Sequence, residues 1–437
     1  MFQSMHGCVR RVSMLMRMKK ITKENSRNLL VGIVLFFGVA YNFPLAMINA
    51  KVFTVTPVMT YAVELVIYFS CFILGLSALH PKRVVLVMSG LGFLVALTLL
   101  RFLMSLDFDP KFFRDALIPF AFLILGAAYR GSLLRLFMGM SIFITFVAVF
   151  ELMMPDVYGD IANPKSYFVN SRGASADGFW NEGSSLYLSA TRPDERNFFA
   201  GSNLPRASSV FIEPVTMGNY IIFFAAIVLV FWRWMSVSEL ILSMAMIVFL
   251  IVASDGRLAT GTCILMVLLA PFLKRFDQRF AFLLFFSVLL GGWFIVQVNG
   301  IHTYDKDTIL SRTFFSVYSL AHLPLDSWFG LDVQSSYRYF DSGIAYFIAS
   351  QSVITVLVFL LAYSFLFDMQ SHEGRGFKNM AIFAFALSLL VSNSYFSIKT
   401  SALWWFTCGC LWNCSPNVLA AKRNLVEARV IAQVGVS

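Results

Sequence analysis

The sequence predicts an all-α, polytopic integral membrane protein of about 12 transmembrane helices, with two long loops on the outer face. Three observations carry this. Hydrophobic residues make up 58% of the chain and charged residues 13%, with a mean hydropathy of +0.74. A soluble fold cannot hide that much apolar surface, whereas a bilayer solvates it. Mostly apolar stretches of about 17 residues or more recur along the chain, which is the length needed to cross a hydrocarbon core. Lysine and arginine collect in alternate connections, as expected when basic residues fix orientation.

The N-terminal segment 1–28 is basic and expected in the cytoplasm. The apolar run Leu29–Ile48 is too long for a signal-peptide core and lacks a small-residue cleavage site, so it reads as an uncleaved first span. Further spans are predicted at 57–79, 84–106, 115–129 and 132–154, completing five helices over 29–154. A large outer loop covers 155–213. Spans at 214–232, 237–254, 257–273 and 280–298 follow, then a second outer loop at 299–341. The last spans are 342–367, 379–395 and 398–414, before a cytoplasmic tail at 415–437. The run 115–129 is short and the last two spans nearly touch, so ten or eleven crossings remain open.

With both ends inside, the cytoplasmic segments hold 20 lysines and arginines, and the short outer connections only Lys51, Lys111, Arg114, Arg257 and Lys399. This asymmetry accounts for the net charge of +10 without nucleic acid as a partner. None of the six cysteines lies in the long loops. No disulfide framework or zinc spacing follows, and Cys408, Cys410 and Cys414 read as small helix-packing residues.

Long loops are exempt from the orientation rule, so their cations need another reason. The first loop carries Lys165, Arg172, Arg192, Arg196 and Arg206, interleaved with aromatics from Tyr158 to Phe199. The second carries Lys306, Arg312 and Arg338. Aromatic content disfavours disorder, and a loop folded over the membrane mouth is expected.

Arg206-Ala-Ser-Ser-Val-Phe-Ile-Glu-Pro214 runs from the first loop into a span, placing Arg206 and Glu213 at a helix mouth. They are either interfacial anchors or members of a site. Guanidinium groups pair with phosphate oxygens through forked hydrogen bonds, which makes Arg206, Arg257, Arg312 and Arg338 the candidate substrate-binding cations. Asp255 is alternatively a simple ion-pair partner for Arg257. The candidate catalytic carboxylates are Glu213 and Asp341, with Asp255 and His302 as other outer-face options. Glu213 precedes Pro214 at a helix start, where the helix stabilises its anion and weakens it as a base. It is therefore expected to orient an arginine, and Asp341 at the head of a span shares the same constraint. Glu64 and Arg101 both lie roughly 7–10 Å below the outer boundary at about 1.5 Å per residue. They read as an ion pair between neighbouring helices, or Arg101 lines a substrate path. No P-loop, nucleotide fingerprint or metal-ligand cluster is present in the sequence, so no cofactor or metal is expected. An outer-face enzyme of this kind needs a donor that is already activated and membrane-borne.

Taken together, several stretches resemble the Wzy-type polysaccharide polymerase and O-antigen ligase superfamily. They are Arg206 to Pro214 with Gly218-Asn-Tyr220, Ser254-Asp-Gly-Arg257, Ser311-Arg-Thr-Phe-Phe-Ser with Pro324 and Trp328-Phe-Gly-Leu331, and Asp341-Ser-Gly-Ile-Ala-Tyr346. The resemblance covers about residues 200–365. Leu331 stands where the family commonly has glycine, and Ser342 replaces its asparagine. No histidine aligns with the one that ligases use, which favours the polymerase branch.

The resemblance implies a GT-C-like fold in the bacterial inner membrane, with both termini cytoplasmic. It implies metal-independent glycosyl transfer on the periplasmic face, from an oligosaccharide linked to undecaprenyl pyrophosphate. The acceptor is the next lipid-linked repeat unit in a polymerase, or another membrane lipid in a ligase. A chain-length regulator and a flippase are the implied partners. A secondary transporter or flippase is the alternative from another class, although the two halves lack the matched broken helices of inverted repeats.

Overall fold

The computed structural model describes residues 24–175, 183–190, 205–304 and 308–413. The basic residues before Glu24, the tail after Asn413, and Arg192, Arg196 and Lys306 lie outside them. Among the described residues the chain is helical, with no strand. The helices in order are α1 (Glu24–Ala40), α2 (Asn42–Lys51), α3 (Pro57–Gly75), α4 (Pro81–Ser105), α5 (Pro110–Ala128) and α6 (Leu133–Met153). The first loop contributes α7 (Pro155–Ala162) and α8 (Pro164–Arg172). Then come α9 (Pro214–Phe231), α10 (Val237–Ser254), α11 (Arg257–Arg275) and α12 (Ala281–Val298). The second loop holds α13 (Ile309–Ala321), α14 (Leu325–Trp328) and a 3-10 turn at Gln334–Arg338. The last helices are α15 (Gly343–Gln351), α16 (Val353–Leu361), α17 (His372–Leu389) and α18 (Ile398–Asn413).

Local chemistry explains many of these starts. Proline occupies the first turn of α3, α4, α5, α7, α8 and α9, where its missing N–H has no intrahelical partner anyway. Thr56, His80 and Asp109 accept backbone N–H groups just ahead of α3, α4 and α5. Ser236 and Glu239 form a reciprocal capping box at α10.

Seven helices are long and apolar enough to cross a membrane, or up to nine if each of two bent pairs counts as one span. The sequence expectation of about twelve includes three helices outside this set. α5 carries Lys111, Arg114 and Asp115, α17 carries Glu373, Arg375 and Lys378, and α18 has 16 residues. All three are nevertheless helices packed into the same bundle. α9 is its centre, with 16 of its 18 residues buried. The remaining apolar surface faces outward along α4, α10 and α12, at positions such as Leu99, Leu103, Val248 and Phe294.

Four predicted segments change shape, the first of them the span expected over 29–48, which bends by 62° between α1 and α2. The helix expected from 115 starts at Pro110, because Asp109 and Pro110 form a helix start ahead of the charged turn. It therefore draws Lys111 and Arg114 out of their expected connection. The span expected over 342–367 is broken by 104° between α15 and α16. Ser352 sits at the break with φ 80°, and its hydroxyl caps the second helix at Thr355 N. The span expected at 379–395 begins earlier, at His372, and ends at Leu389. α5 and α18 cross in backbone contact: a Cβ on Gly126 would lie 1.9 Å from the Phe406 carbonyl, and one on Gly409 2.0 Å from the Leu123 carbonyl. The Cys410 thiol donates to the Gly126 carbonyl at 3.1 Å, in keeping with a small packing cysteine.

Candidate functional site: an ion cluster at the loop end of the bundle

The end of the bundle that carries the long loops holds a contiguous set of charged side chains. Glu64 on α3 is buried and is the hub. Arg114 on α5 donates from Nη1 to its Oε2 at 2.7 Å. Tyr41, at the α1–α2 bend, donates its hydroxyl to Oε1. Arg172, the last residue of α8, sits 3.8 Å from Oε1 and donates to the Tyr41 oxygen at 3.2 Å. Arg114 also reaches Asp115 Oδ1 at 2.7 Å, and Asp115 Oδ2 accepts from the Tyr346 hydroxyl of α15 at 3.2 Å.

Lys111 extends this cluster into an aromatic box. Its ammonium lies 4.4 Å from the Tyr337 ring centre, 5.2 Å from those of Phe112 and Phe340, and 5.4 Å from that of Tyr346. Ring quadrupoles favour a cation there. Tyr337 in turn donates its hydroxyl to Asp109 at 2.6 Å, tying the second loop to the start of α5.

α8 joins this cluster to a second one. One turn before Arg172, Phe168 packs on Tyr187 at 4.7 Å between ring centres and lies 5.8 Å from the Lys399 ammonium of α18. Lys399 pairs with Glu213 Oε2 at 2.7 Å. Thr216 donates to the same oxygen at 2.7 Å, and the Tyr187 hydroxyl to Oε1 at 3.3 Å. Burial pushes the Glu213 carboxyl up, but the Lys399 charge and the hydrogen bonds from Lys399 and Thr216 outweigh it, so the group is held below the ordinary glutamate value. Burial, reinforced by the Glu213 charge, drives the Tyr187 phenol well above its ordinary value.

The whole cluster sets Lys111, Arg114, Arg172 and Lys399 against Glu64, Asp109, Asp115 and Glu213, so its formal charges balance. Its openings are at the Arg172 side chain, 32% exposed, and at Glu213, 23% exposed. Arg114, at 13%, stands behind them. Guanidinium and ammonium groups gathered at one mouth suit an oxyanion such as a phosphate.

Apart from Glu64 and Glu213, the residues singled out by the sequence take up other places. Arg206 is buried; its Nε donates to the Ser254 carbonyl at 2.8 Å and its Nη1 to the Ser189 hydroxyl at 3.1 Å. It thereby clamps the 183–190 segment to the α10–α11 turn, where Arg257 begins α11. The segment between Arg206 and Glu213 is fixed from below by Glu151 of α6, which accepts from Ser208 N, Ser208 Oγ and Ser209 N at 2.6–2.8 Å. Arg312 pairs with Asp341 at 3.3 Å, and Tyr304 donates to the other Asp341 oxygen. Arg338 is exposed on its 3-10 turn.

Two expected pairings are corrected. Glu213 orients a lysine, Lys399, because α18 packs beside α9 at that level. Glu64 does not pair with Arg101, which instead donates to the Gly330 and Ser350 carbonyls at 2.8 Å each. The prediction missed Lys111, Arg114, Arg172 and Lys399 as site members. A signal was present: Arg114-Asp115 opens an apolar run, and charge at that level marks pathways. Among the described residues no group of three His, Cys, Asp or Glu is arranged to hold a metal ion. No protein-family model, curated protein or solved structure matches the chain.

Proposed function

We propose that the protein is a polysaccharide polymerase that joins repeat units linked to undecaprenyl pyrophosphate, on the periplasmic face of the bacterial inner membrane. In this reading α5, α17 and α18 also cross, giving twelve spans with both termini in the cytoplasm, and the fold is GT-C-like. The observation that carries the reading is the cation array of Arg172, Arg114, Lys111 and Lys399 at the loop end of an apolar bundle. It supports an anionic, membrane-borne substrate head, and the family resemblance of residues 200–365 supplies the reaction.

The acceptor hydroxyl oxygen attacks the anomeric carbon of the donor sugar, and the bond from that carbon to the pyrophosphate oxygen breaks. The leaving oxygen keeps the electron pair, and Arg172 and Arg114 stabilise its developing charge, the kind of electrostatic contribution that is commonly the largest in catalysis. The hydroxyl proton passes to a carboxylate. Both candidate carboxylates are paired, Glu213 with Lys399 and Asp341 with Arg312, and Asp341 takes that role as the more exposed of the two, at 29% against 23%.

The test is the surface-glycan length profile of a strain whose own gene is deleted and replaced by variants. Wild type restores long chains, whereas Arg172→Ala and Asp341→Asn accumulate at normal levels and leave single repeat units. Long chains from both variants would overturn the assignment.

A further inference from the structure

At the end of the bundle opposite the long loops, α9 runs into a 3-10 turn, Trp232–Trp234, and α11 ends at Lys274 and Arg275. Both helices pack on α17, and its first turn lies against Lys274: a Cβ on Gly376 would stand 3.2 Å from the lysine Cγ. The charges at this end are unevenly matched. Among the described residues, the side chains of Arg233, Lys274, Arg275 and Arg375 make no ion pair. The carboxylates on the same elements are engaged by neutral donors. Glu239 closes its capping box with Ser236, and Glu373 accepts from the Trp234 indole at 3.4 Å. Asp277 accepts from Arg279 N at 3.0 Å, and Asp368 from the Gln278 and Gln370 amides.

Arg233 lies close enough to Lys274 to repel it, although the lysine is only partly exposed. Like charges held together in a half-buried place repel, and an anion between them removes that cost. The C-terminus of α11 favours a cation in its last turn, and orientation gathers basic residues at one end. Neither effect accounts for two cations from different elements set against each other without a carboxylate.

Apolar surface begins at the same level. Ile264, Leu268 and Phe272 of α11 are exposed and, spaced four apart, share one helix face. That stripe runs up to Arg275. Trp232 is exposed beside Arg233, whose guanidinium lies 5.4 Å from its ring centre, and tryptophan favours the depth of lipid headgroups. A ligand that satisfies both features is anionic at its head and apolar in its body. The excess of cations also disfavours the ammonium of a zwitterionic headgroup.

We infer that Arg233 and Lys274 bind the phosphate of an anionic glycerophospholipid of the bilayer, whose acyl chains lie along the apolar stripe of α11. The site is roughly 30 Å along α9 from Glu213, at about 1.5 Å per residue. Its occupancy is read without any reaction, so it stands apart from the glycosyl-transfer reading.

The experiment titrates the full chain, in a non-ionic detergent, with dimyristoyl phosphatidylglycerol or with the phosphatidylcholine of the same chains. Bound lipid is counted by native mass spectrometry. One phosphatidylglycerol should be retained about tenfold more tightly than phosphatidylcholine. Arg233→Gln and Lys274→Gln should each weaken it about fivefold, the worth of one basic residue near an anionic headgroup, and Lys274→Arg should keep it. Lys82→Gln, which removes an exposed cation at the same end on α4, should leave it unchanged. Equal retention of the two lipids, or a loss in Lys82→Gln as large as in Lys274→Gln, would overturn the site. Displacement of the bound lipid by inorganic phosphate or glycerophosphoglycerol at the concentration at which intact phosphatidylglycerol competes would overturn the lipid assignment.

Discussion

Glu213 and Lys399 lie 186 residues apart and meet at 2.7 Å. The lysine side chain is 7% exposed and the glutamate 23%, so removing one partner strands a charge in a poorly solvated place. Lys399→Ala is expected to cost about 3 kcal/mol, as broken buried pairs do. The double variant Glu213→Gln/Lys399→Met should recover most of that loss in chemical unfolding of detergent-solubilised protein. The pair also sets a pH dependence. The folded carboxyl is held below its unfolded value, so its stabilisation is complete above the unfolded pKa, about 4.3. It is lost as pH falls through the folded pKa. Thermal midpoints measured downward from pH 7 should drop below about pH 4 in wild type, and Glu213→Gln should lack that step. The sequence reveals that Glu213 sits at a helix mouth and that a cation should attend it. It cannot reveal which cation, because the partner comes from a helix brought alongside only by folding. The same holds for Glu64, whose depth is readable from its place in a span while the direction it faces is not.

At the scale of elements, the crossing of α5 and α18 depends on having no side chain at Gly126 and Gly409. Gly126→Ala would place a Cβ 1.9 Å from the Phe406 carbonyl, so the helices must part. The expected loss is about 1–3 kcal/mol, the usual cost of overpacking, seen as a lowered thermal midpoint. Gly92 has open space around its missing Cβ, and Gly92→Ala should leave the midpoint unchanged or raise it. Elements bounded by strong local chemistry are legible in the sequence. The box of Ser236 and Glu239 and the Glu213-Pro214 start put α10 and α9 within a residue of their predicted limits. The 104° break after Gln351 is not legible. No glycine or proline marks it, and Ser352 adopts φ 80° because the Arg101 guanidinium and local hydroxyl caps hold the turn together. The cation array escapes prediction for a related reason: α8 is a short helix inside a loop, and only its packing brings Arg172 to Glu64.

For the whole molecule, a charged loop end sits on an apolar helical bundle with a chamber among its helices. Left empty, a cavity of about 370 Å³ forfeits packing contacts along its lining. In the proposed function the cations at the loop end hold a lipid-linked pyrophosphate while sugars are joined. The measurement that tests it most directly is incubation of the purified protein in nanodiscs with lipid-pyrophosphate-linked repeat units, followed by electrophoretic separation of the products. Wild type should give a ladder of increasing length, and Arg172→Ala only unextended repeat units. Unextended units from wild type, together with ion-coupled uptake of the same glycan into proteoliposomes, would contradict it in favour of a transporter.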